Sequence, residues 1–391
     1  MGNPVGRLAK ASFVAIGIFA AVEMSLRLVY LTPTAFFVYP PRYKQIFKPL
    51  PGIMPGIAGE SRFITNSMGI RGDEIPNNAT YRILAIGGSA TESTMVDQQK
   101  TWPYLLQTIL NTKSPQAKIW VGNIGKSSLN TRHHILEMKY FVPQVSVDTI
   151  VMMIGVNDVN RRLAQDMRYV PMTLENIYRD EELYQTAFWS YPDMTAGRDI
   201  IKSLALYRAG RSIKHWWLFR TTGEVVDEAG KFYTQRRANR QNAAIMRSAL
   251  PDLTASIAEY EQNINEIINL AGQRSHRIIL LTQPTMWKSD MSQDSARLLW
   301  FGGIGNYIAE PVNEYYATSA LASAMSLYNA KLLDVCSKRS VECIDLAPQL
   351  SKDTSAFFDD CHFNESGSQK VADILAEYFL RHPNATDSAA P

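Results

Sequence analysis

Short apolar runs alternate with amphipathic stretches along most of this 391-residue chain. Arg82 to Gly87 is an apolar run ending in glycines, and a helical stretch around Trp102 to Leu110 follows, which together read as strand, turn and helix. The pattern repeats with a strand over Lys118 to Ile124, a helix over Leu129 to Tyr140 and a strand over Thr149 to Gly155. The last is apolar throughout, as expected where both faces of a sheet are covered. Further along, Ile257, Tyr260, Ile264, Ile267, Ile268 and Ala271 fall on one helical stripe. Arg277 to Leu281 makes a fourth strand, Asn313 to Val335 a long helix, Val341 to Leu346 a fifth strand and Gly367 to Leu380 a closing helix. Such alternation predicts an α/β fold with a parallel, doubly wound sheet, and ligands of these sheets bind at the carboxyl ends of the strands.

Four stretches break the alternation. In residues 1–31, Arg7 and Lys10 precede an apolar stretch from Ala11 to Leu31 that is interrupted only by Glu23 and Arg27, one helical turn apart and able to pair. About 20 residues cross a bilayer, so this segment reads as a retained membrane anchor, with a signal peptide of core Ala11 to Val22 and a buried N-terminal helix as the alternatives. No small-x-small cleavage site follows the apolar core, and basic residues held inside would place everything after Thr32 outside the cytoplasm. Residues 32–80, rich in proline and glycine, read as an irregular connector to a main domain over 81–382. Within that domain residues 161–250 read as a helical or irregular insertion without strand candidates, carrying Tyr184, Phe188, Trp189, Tyr191, Tyr207, Trp216, Trp217 and Phe219. Those aromatics suit a sugar or acyl pocket, a membrane interface or the insertion's own small core. Residues 383–391 read as a flexible tail.

With 46% hydrophobic and 20% charged residues the chain has the composition of a folded protein. A formal charge of +3 without a long basic run argues against a nucleic-acid partner. Its three cysteines, Cys336, Cys343 and Cys361, are too few for a zinc cluster. Cys336 and Cys343 can pair in an oxidising compartment, and three free thiols are the alternative.

Chemistry concentrates in four segments, all after predicted strands or before the last helix, hence on one rim of the sheet. In Ile86-Gly87-Gly88-Ser89-Ala90-Thr91, paired glycines allow a sharp turn that sets a serine hydroxyl at a helix N-terminus, where amides face developing negative charge. Asn123-Ile124-Gly125-Lys126-Ser127 and Gly155-Val156-Asn157-Asp158 follow strands two and three. The Gly125 amide and the Asn157 side chain can donate to an oxyanion, although a tight turn and a helix N-cap account for the same residues. In Asp359-Asp360-Cys361-His362, a carboxylate three residues before a histidine can bond one imidazole nitrogen and leave the other for a serine. Asp360 is an alternative orienter. His133, His134, His215, His276 and His382 lack such a motif and read as surface or packing residues.

Taken together, Ser89, Gly125, Asn157 and Asp359/His362 resemble, in family order, the four blocks of the SGNH or GDSL-like hydrolases. The resemblance covers Tyr81 to Asn160 and Leu253 to Arg381. Asn66 to Arg71, Thr101-Trp102-Pro103, Gln283-Pro284 and Trp300 to Gly303 look like segments of membrane-anchored bacterial members. One position departs from the pattern: Gly88 stands where the family usually has aspartate. The resemblance implies a three-layer αβα sandwich on a five-stranded parallel sheet of flavodoxin-like type. It also implies acyl-ester hydrolysis by a Ser89–His362–Asp359 triad, with an oxyanion hole of Ser89, Gly125 and Asn157 and no metal or organic cofactor. The expected substrate is an acylated small molecule or polysaccharide, such as an O-acetylated glycan outside the cytoplasm. An O-acyltransferase and a non-catalytic glycan-binding scaffold are the competing readings.

Overall fold

The computed structural model describes residues 4–29, 35–192, 204–218 and 225–383. Thr32, Phe219, the tail beyond residue 383 and the side chains of Arg7, His215, Trp216 and Trp217 lie outside the described part. In chain order the described strands are β1 (Lys44–Pro49), β2 (Ser61–Ile64), β3 (Tyr81–Gly87), β4 (Ile119–Asn123), β5 (Thr149–Met153), β6 (Val225–Ala229), β7 (Ile245–Arg247), β8 (Arg277–Leu281), β9 (Glu314–Tyr316) and β10 (Glu342–Ile344).

Five of them form one parallel sheet in the order β10-β8-β5-β3-β4. These are the five strands expected from the apolar runs: β8 is as expected, β3 gains Tyr81, β4, β5 and β10 are shorter by one or two residues at an end, and helices flank the sheet. The helices Trp102–Lys113 and Glu365–Arg381 pack on each other, and Thr254–Gly272 packs on Thr318–Arg339 and Thr131–Leu136. Burial explains the uninterrupted apolar character of the centre: every residue of β5 is buried. From β3 the chain crosses to β4 on one side and then back to β5 on the other. The carboxyl ends of β3 and β5, with Gly87 opposite Met153, therefore border a crevice where the direction of winding reverses.

The connector read as irregular and the insertion read as helical or irregular both contain strands, and these pair with each other. Residues 32–80 supply β1 and β2, antiparallel with Lys44 opposite Ile64, and the insertion adds β6 parallel to β1. The exposed lysines and terminal proline of β1 hide it from an apolar-run reading, because this is a short, half-covered edge sheet. Rather than spacing the domain from a membrane, residues 35–80 pack into it. Phe36, Val38, Tyr39, Phe63 and Ile70 are buried in the common core, and Arg71 exchanges backbone hydrogen bonds with Asn123 at the edge of the main sheet. A further pair, β7 with β9, joins the insertion to the segment before Thr318, so the helix expected from Asn313 begins only at Thr318. The helix expected through Tyr140 keeps α geometry only over Thr131–Leu136 and continues as a wider π turn over Glu137–Phe141.

Pro4–Val29 is one continuous helix, and Lys10–Leu28 is long and apolar enough to cross a membrane. The expected Glu23–Arg27 pair forms at 2.8 Å. Glu23 also accepts hydrogen bonds from the amides of Ala205 and Leu206, which opens the insertion helix Ala205–Leu218. Cys336 and Cys343 are disulfide-bonded with Cα atoms 6.2 Å apart, and Cys361 is free and buried.

Candidate active site

Ser89 is the first residue of the short helix Ser89–Glu92, directly after β3, with Gly88 as its extended N-cap. Its amide is therefore one of the N–H groups that a helix's first turn leaves without an internal acceptor. Asn157 lies in the first turn of Val156–Gln165, after β5, and its Nδ2 donates to the Leu129 carbonyl at 2.7 Å. A Cβ added to Gly88 would stand 2.4 Å from that Nδ2. Glycine at position 88, the one departure from the family pattern, is what lets the Asn157 amide lie against the backbone beside Ser89.

The turn carrying His362 is closed by a bridge between Phe357 and Phe363 and ends where Asn364 caps the last helix by accepting from the Gly367 amide at 2.9 Å. This hairpin brings together residues 273 positions apart: the His362 Nε2 lies 2.7 Å from the Ser89 Oγ. On the other side of the ring, Nδ1 is 2.7 and 2.8 Å from the Asp359 carboxylate oxygens. Asp359 also accepts from the backbone amides of Cys361 at 3.1 Å and His362 at 3.0 Å and from the Trp300 indole at 2.9 Å. Burial alone would raise the Asp359 pKa, but the imidazole and the converging donors hold it below the ordinary carboxylate value. For His362, burial opposes the charged ring, yet Asp359 outweighs it and raises the imidazole pKa.

Asp360 points away from the histidine. It accepts from the Trp287 indole at 2.7 Å and from the amides of Trp300 and Phe301 at 2.8 and 3.2 Å. Burial, reinforced by neighbouring Asp359, pushes its pKa up to about 6. Adjacent carboxylates thus have different work: one faces the ring, and the other ties down the loop that delivers the indole.

Gly125 does not sit as expected. Its amide donates to the Asn123 side chain at 2.8 Å, and a Cβ there would stand 2.4 Å from the Glu92 amide nitrogen. The residue is small because the Ser89–Glu92 helix packs on it. Three positions later the chain turns back to the site at Ser128, whose φ of 66° is a left-handed conformation that a serine seldom adopts. Among the described residues the Ser128 amide has no acceptor, and Ser128 shares a cavity wall with Ser89 and Asn157. Sequence reasoning missed it because glycine is the usual signal of a left-handed position.

Two cavities meet at Ser89 and His362. One, of about 330 Å³, runs past Ser93, Thr94, Met95, Phe358 and Phe363. The other, of about 300 Å³, is walled by Asn130, His133, Arg161, Arg236 and Trp300. Phe232 and Tyr233, from the insertion helix Lys231–Gln241, border both. Among the described residues the insertion lines the site with Phe232 and Tyr233, while Tyr184, Phe188 and Tyr191 pack with Phe36 and Tyr140. His133, read as a packing residue, is buried and also faces the second cavity.

A sequence profile described as GDSL-like Lipase/Acylhydrolase family matches residues 85–370. No curated protein matches the chain. Among solved structures it is similar to an alpha/beta hydrolase enzyme from the metagenome of Lake Arreo, Spain, at 15% identity and TM-score 0.41, covering 77% of this chain and 97% of that one. It is also similar to a lipolytic protein of the G-D-S-L family from Veillonella parvula, at 13% identity and TM-score 0.39, covering 77% and 100%. An acetylxylan esterase from Geobacillus stearothermophilus matches at 14% identity and TM-score 0.38, covering 78% and 94%.

Proposed function

The chain belongs to the GDSL-like lipase/acylhydrolase family and is an SGNH-type hydrolase of acyl esters, and from that premise we propose that Ser89 is its nucleophile, His362 its general base and Asp359 the residue that orients the base. The observation that carries this reading is the unbroken line from the Ser89 hydroxyl through both nitrogens of His362 to Asp359. His362 takes the hydroxyl proton as Ser89 attacks the ester carbonyl, and returns a proton to the departing alcohol. Water, deprotonated by the same ring, then releases the acid from the acyl-enzyme. The oxyanion is held by the Ser89 amide, the Asn157 side chain and the Ser128 amide, which takes the part expected of Gly125. One such donor is worth roughly 3 to 4 kcal/mol in comparable sites.

The substrate in this reading is an O-acyl, foremost O-acetyl, group on a carbohydrate outside the cytoplasm. Pro4–Val29 is then a retained anchor with the hydrolase on the extracytoplasmic side. One feature supports retention and another the extracytoplasmic side. Removing the helix would strip Glu23 from the amides of Ala205 and Leu206 and leave a helix N-terminus uncapped. The Cys336–Cys343 disulfide suits an oxidising compartment.

The test is turnover of 4-nitrophenyl acetate by the detergent-solubilised full chain. Ser89→Ala or His362→Ala lowers kcat at least about a thousandfold in this reading. Wild-type rates in Ser89→Ala would remove Ser89 from the nucleophile role. Product analysis with and without a polysaccharide acceptor separates hydrolysis from acyl transfer. For the anchor, release of the full chain from membranes by high-salt washing alone would contradict the span.

A further inference from the structure

The Lys231–Gln241 helix carries three arginines near the site, and only two have work inside the fold. Arg237 donates to the carbonyls of Leu298, Ile53 and Phe358 at 3.0, 2.6 and 3.0 Å. Arg240 donates to those of Phe301 and Tyr316 at 2.6 and 2.8 Å. Arg236 stacks instead, its guanidinium carbon 4.6 Å from the Phe232 ring centre and 4.7 Å from that of Trp300, and among the described residues its N–H groups have no acceptor. The Val156–Gln165 helix repeats the contrast. Arg162 donates to the carbonyls of Asp252 and Asp166, whereas Arg161 has a buried Nε without a partner. The carboxylate nearest in influence, Glu259, is taken by Arg132 and by the Tyr169 hydroxyl at 2.6 Å.

Arg161 and Arg236 wall the same cavity, which also holds Ser89 and His362 and has no Asp or Glu in its lining. Two guanidinium groups facing one cavity whose lining holds no carboxylate favour an anion placed between them, because the nearest carboxylates, Asp359 and Glu259, are already engaged elsewhere. The planar donor forks of the two arginines match a carboxylate in paired hydrogen bonds, and the exposed Phe232 beside them offers apolar surface to a sugar ring. On the same wall burial, followed by His134, Arg161, Lys126 and Arg132, holds the His133 pKa well below the ordinary imidazole value.

We propose that the ester cleaved at Ser89 is borne by an acidic sugar, an O-acylated uronic acid, whose carboxylate is held by Arg161 and Arg236. This rests on the esterase reading above and adds the chemical class of its substrate. The carboxylate positions the ring, leaving the acylated hydroxyl at Ser89 and the departing alcohol within reach of His362. No step in the acyl transfer changes, and the arginines act on binding.

The test uses two probes that differ only at carbon 6: mono-O-acetyl methyl glucuronoside and mono-O-acetyl methyl glucoside. With the full chain in detergent at low ionic strength, kcat/KM is at least tenfold higher for the uronoside, the difference lies in KM, and it shrinks with added salt. Arg161→Gln and Arg236→Gln collapse the ratio of the two substrates, and Arg→Lys at either position restores part of it. Equal kcat/KM for the two probes, or a ratio unchanged in both glutamine variants, overturns the proposal. So does stronger turnover of an acetylated glucoside 6-phosphate than of the uronoside, which would assign the arginines to a phosphate. If the glutamine variants do not fold, calorimetric titration of the full-length Ser89→Ala protein decides, since tighter binding of uronoside than glucoside supports the site and equal binding removes it. Hydrolysis of 4-nitrophenyl acetate without uronoside preference defeats this inference alone. Uronoside-selective binding in a protein that turns over no ester defeats the esterase reading and leaves the acidic-sugar site standing.

Discussion

The two walls of the site are built differently. On one side, Ser89, Asn157, Asp359 and His362 come from the framework, each beside a sheet strand or the last helix, and each is fixed by hydrogen bonds at 2.7 to 3.1 Å. On the other side Phe232, Tyr233 and Arg236 come from the insertion, where Arg236 is held by ring stacking and its polar donors face the cavity. Fully satisfied groups hold reacting atoms in place, whereas unsatisfied donors wait for a ligand. The difference separates positions whose loss should damage the chemical step from positions whose loss should alter the choice of substrate.

The largest effects should come from the framework wall. Ser89→Ala and His362→Ala each lower kcat for 4-nitrophenyl acetate at least about a thousandfold, and the double variant is little worse than either because the two act as a unit. A double variant far slower than both singles would break that unit. Next is Asp359→Asn, expected to lower kcat on the order of a thousandfold or more, as loss of the orienting carboxylate does in serine triads. Its pH profile sharpens the point. His362 works as a base when neutral, and its folded pKa is raised, so wild-type kcat/KM falls as pH drops through a value above 6.5. Removing the Asp359 charge leaves only the smaller pulls of Asp360 and Glu92 against burial and moves this acid limb to lower pH. Asp360→Asn, which removes a carboxylate facing the Trp300 loop, moves the limb much less than Asp359→Asn does. Equal displacement by the two would erase the distinction drawn between the adjacent carboxylates.

Smaller again is Asn157→Ala, expected to cost about a hundredfold to a thousandfold in kcat, the usual loss for one oxyanion donor. Gly88→Asp should reproduce about a tenfold part of this by displacing the Asn157 amide, consistent with the scale of misplacement effects. An unchanged kcat in Asn157→Ala would remove the side chain from the oxyanion hole. The smallest effect is on stability: Ser128→Gly relieves a left-handed serine and should stabilise the fold by about 1 kcal/mol, read as a higher denaturation midpoint. A lower midpoint would show that the Ser128 side chain contributes more than its backbone strain costs.

Much of the framework wall was legible because its signals are local. Apolar runs mark the five central strands, and a three-residue spacing lets Asp359 reach the ring of His362 within one turn. The rest depends on contacts between distant segments. Gly125 looks like a donor until the Ser89–Glu92 helix is seen packed on it. Ser128 has no compositional mark because its φ is imposed by the surrounding loop. β1 and β6 are too short and polar to register alone, and they become strands by pairing with distant or neighbouring segments, β6 on β1 and β1 between β2 and β6. Arg236 is one of several arginines in the insertion, and only its packing between Phe232 and Trp300, set against the satisfied Arg237 and Arg240, distinguishes it.

The most direct measurement is covalent capture of the nucleophile. The full chain, treated with a fluorophosphonate and digested, should show the phosphonyl mass on the peptide containing Ser89, with labelling lost in Ser89→Ala and slowed in His362→Ala. Ester turnover with Ser89 unlabelled, or equal labelling of the Ser89→Ala protein at another residue, would contradict the assignment of Ser89 as the reacting group.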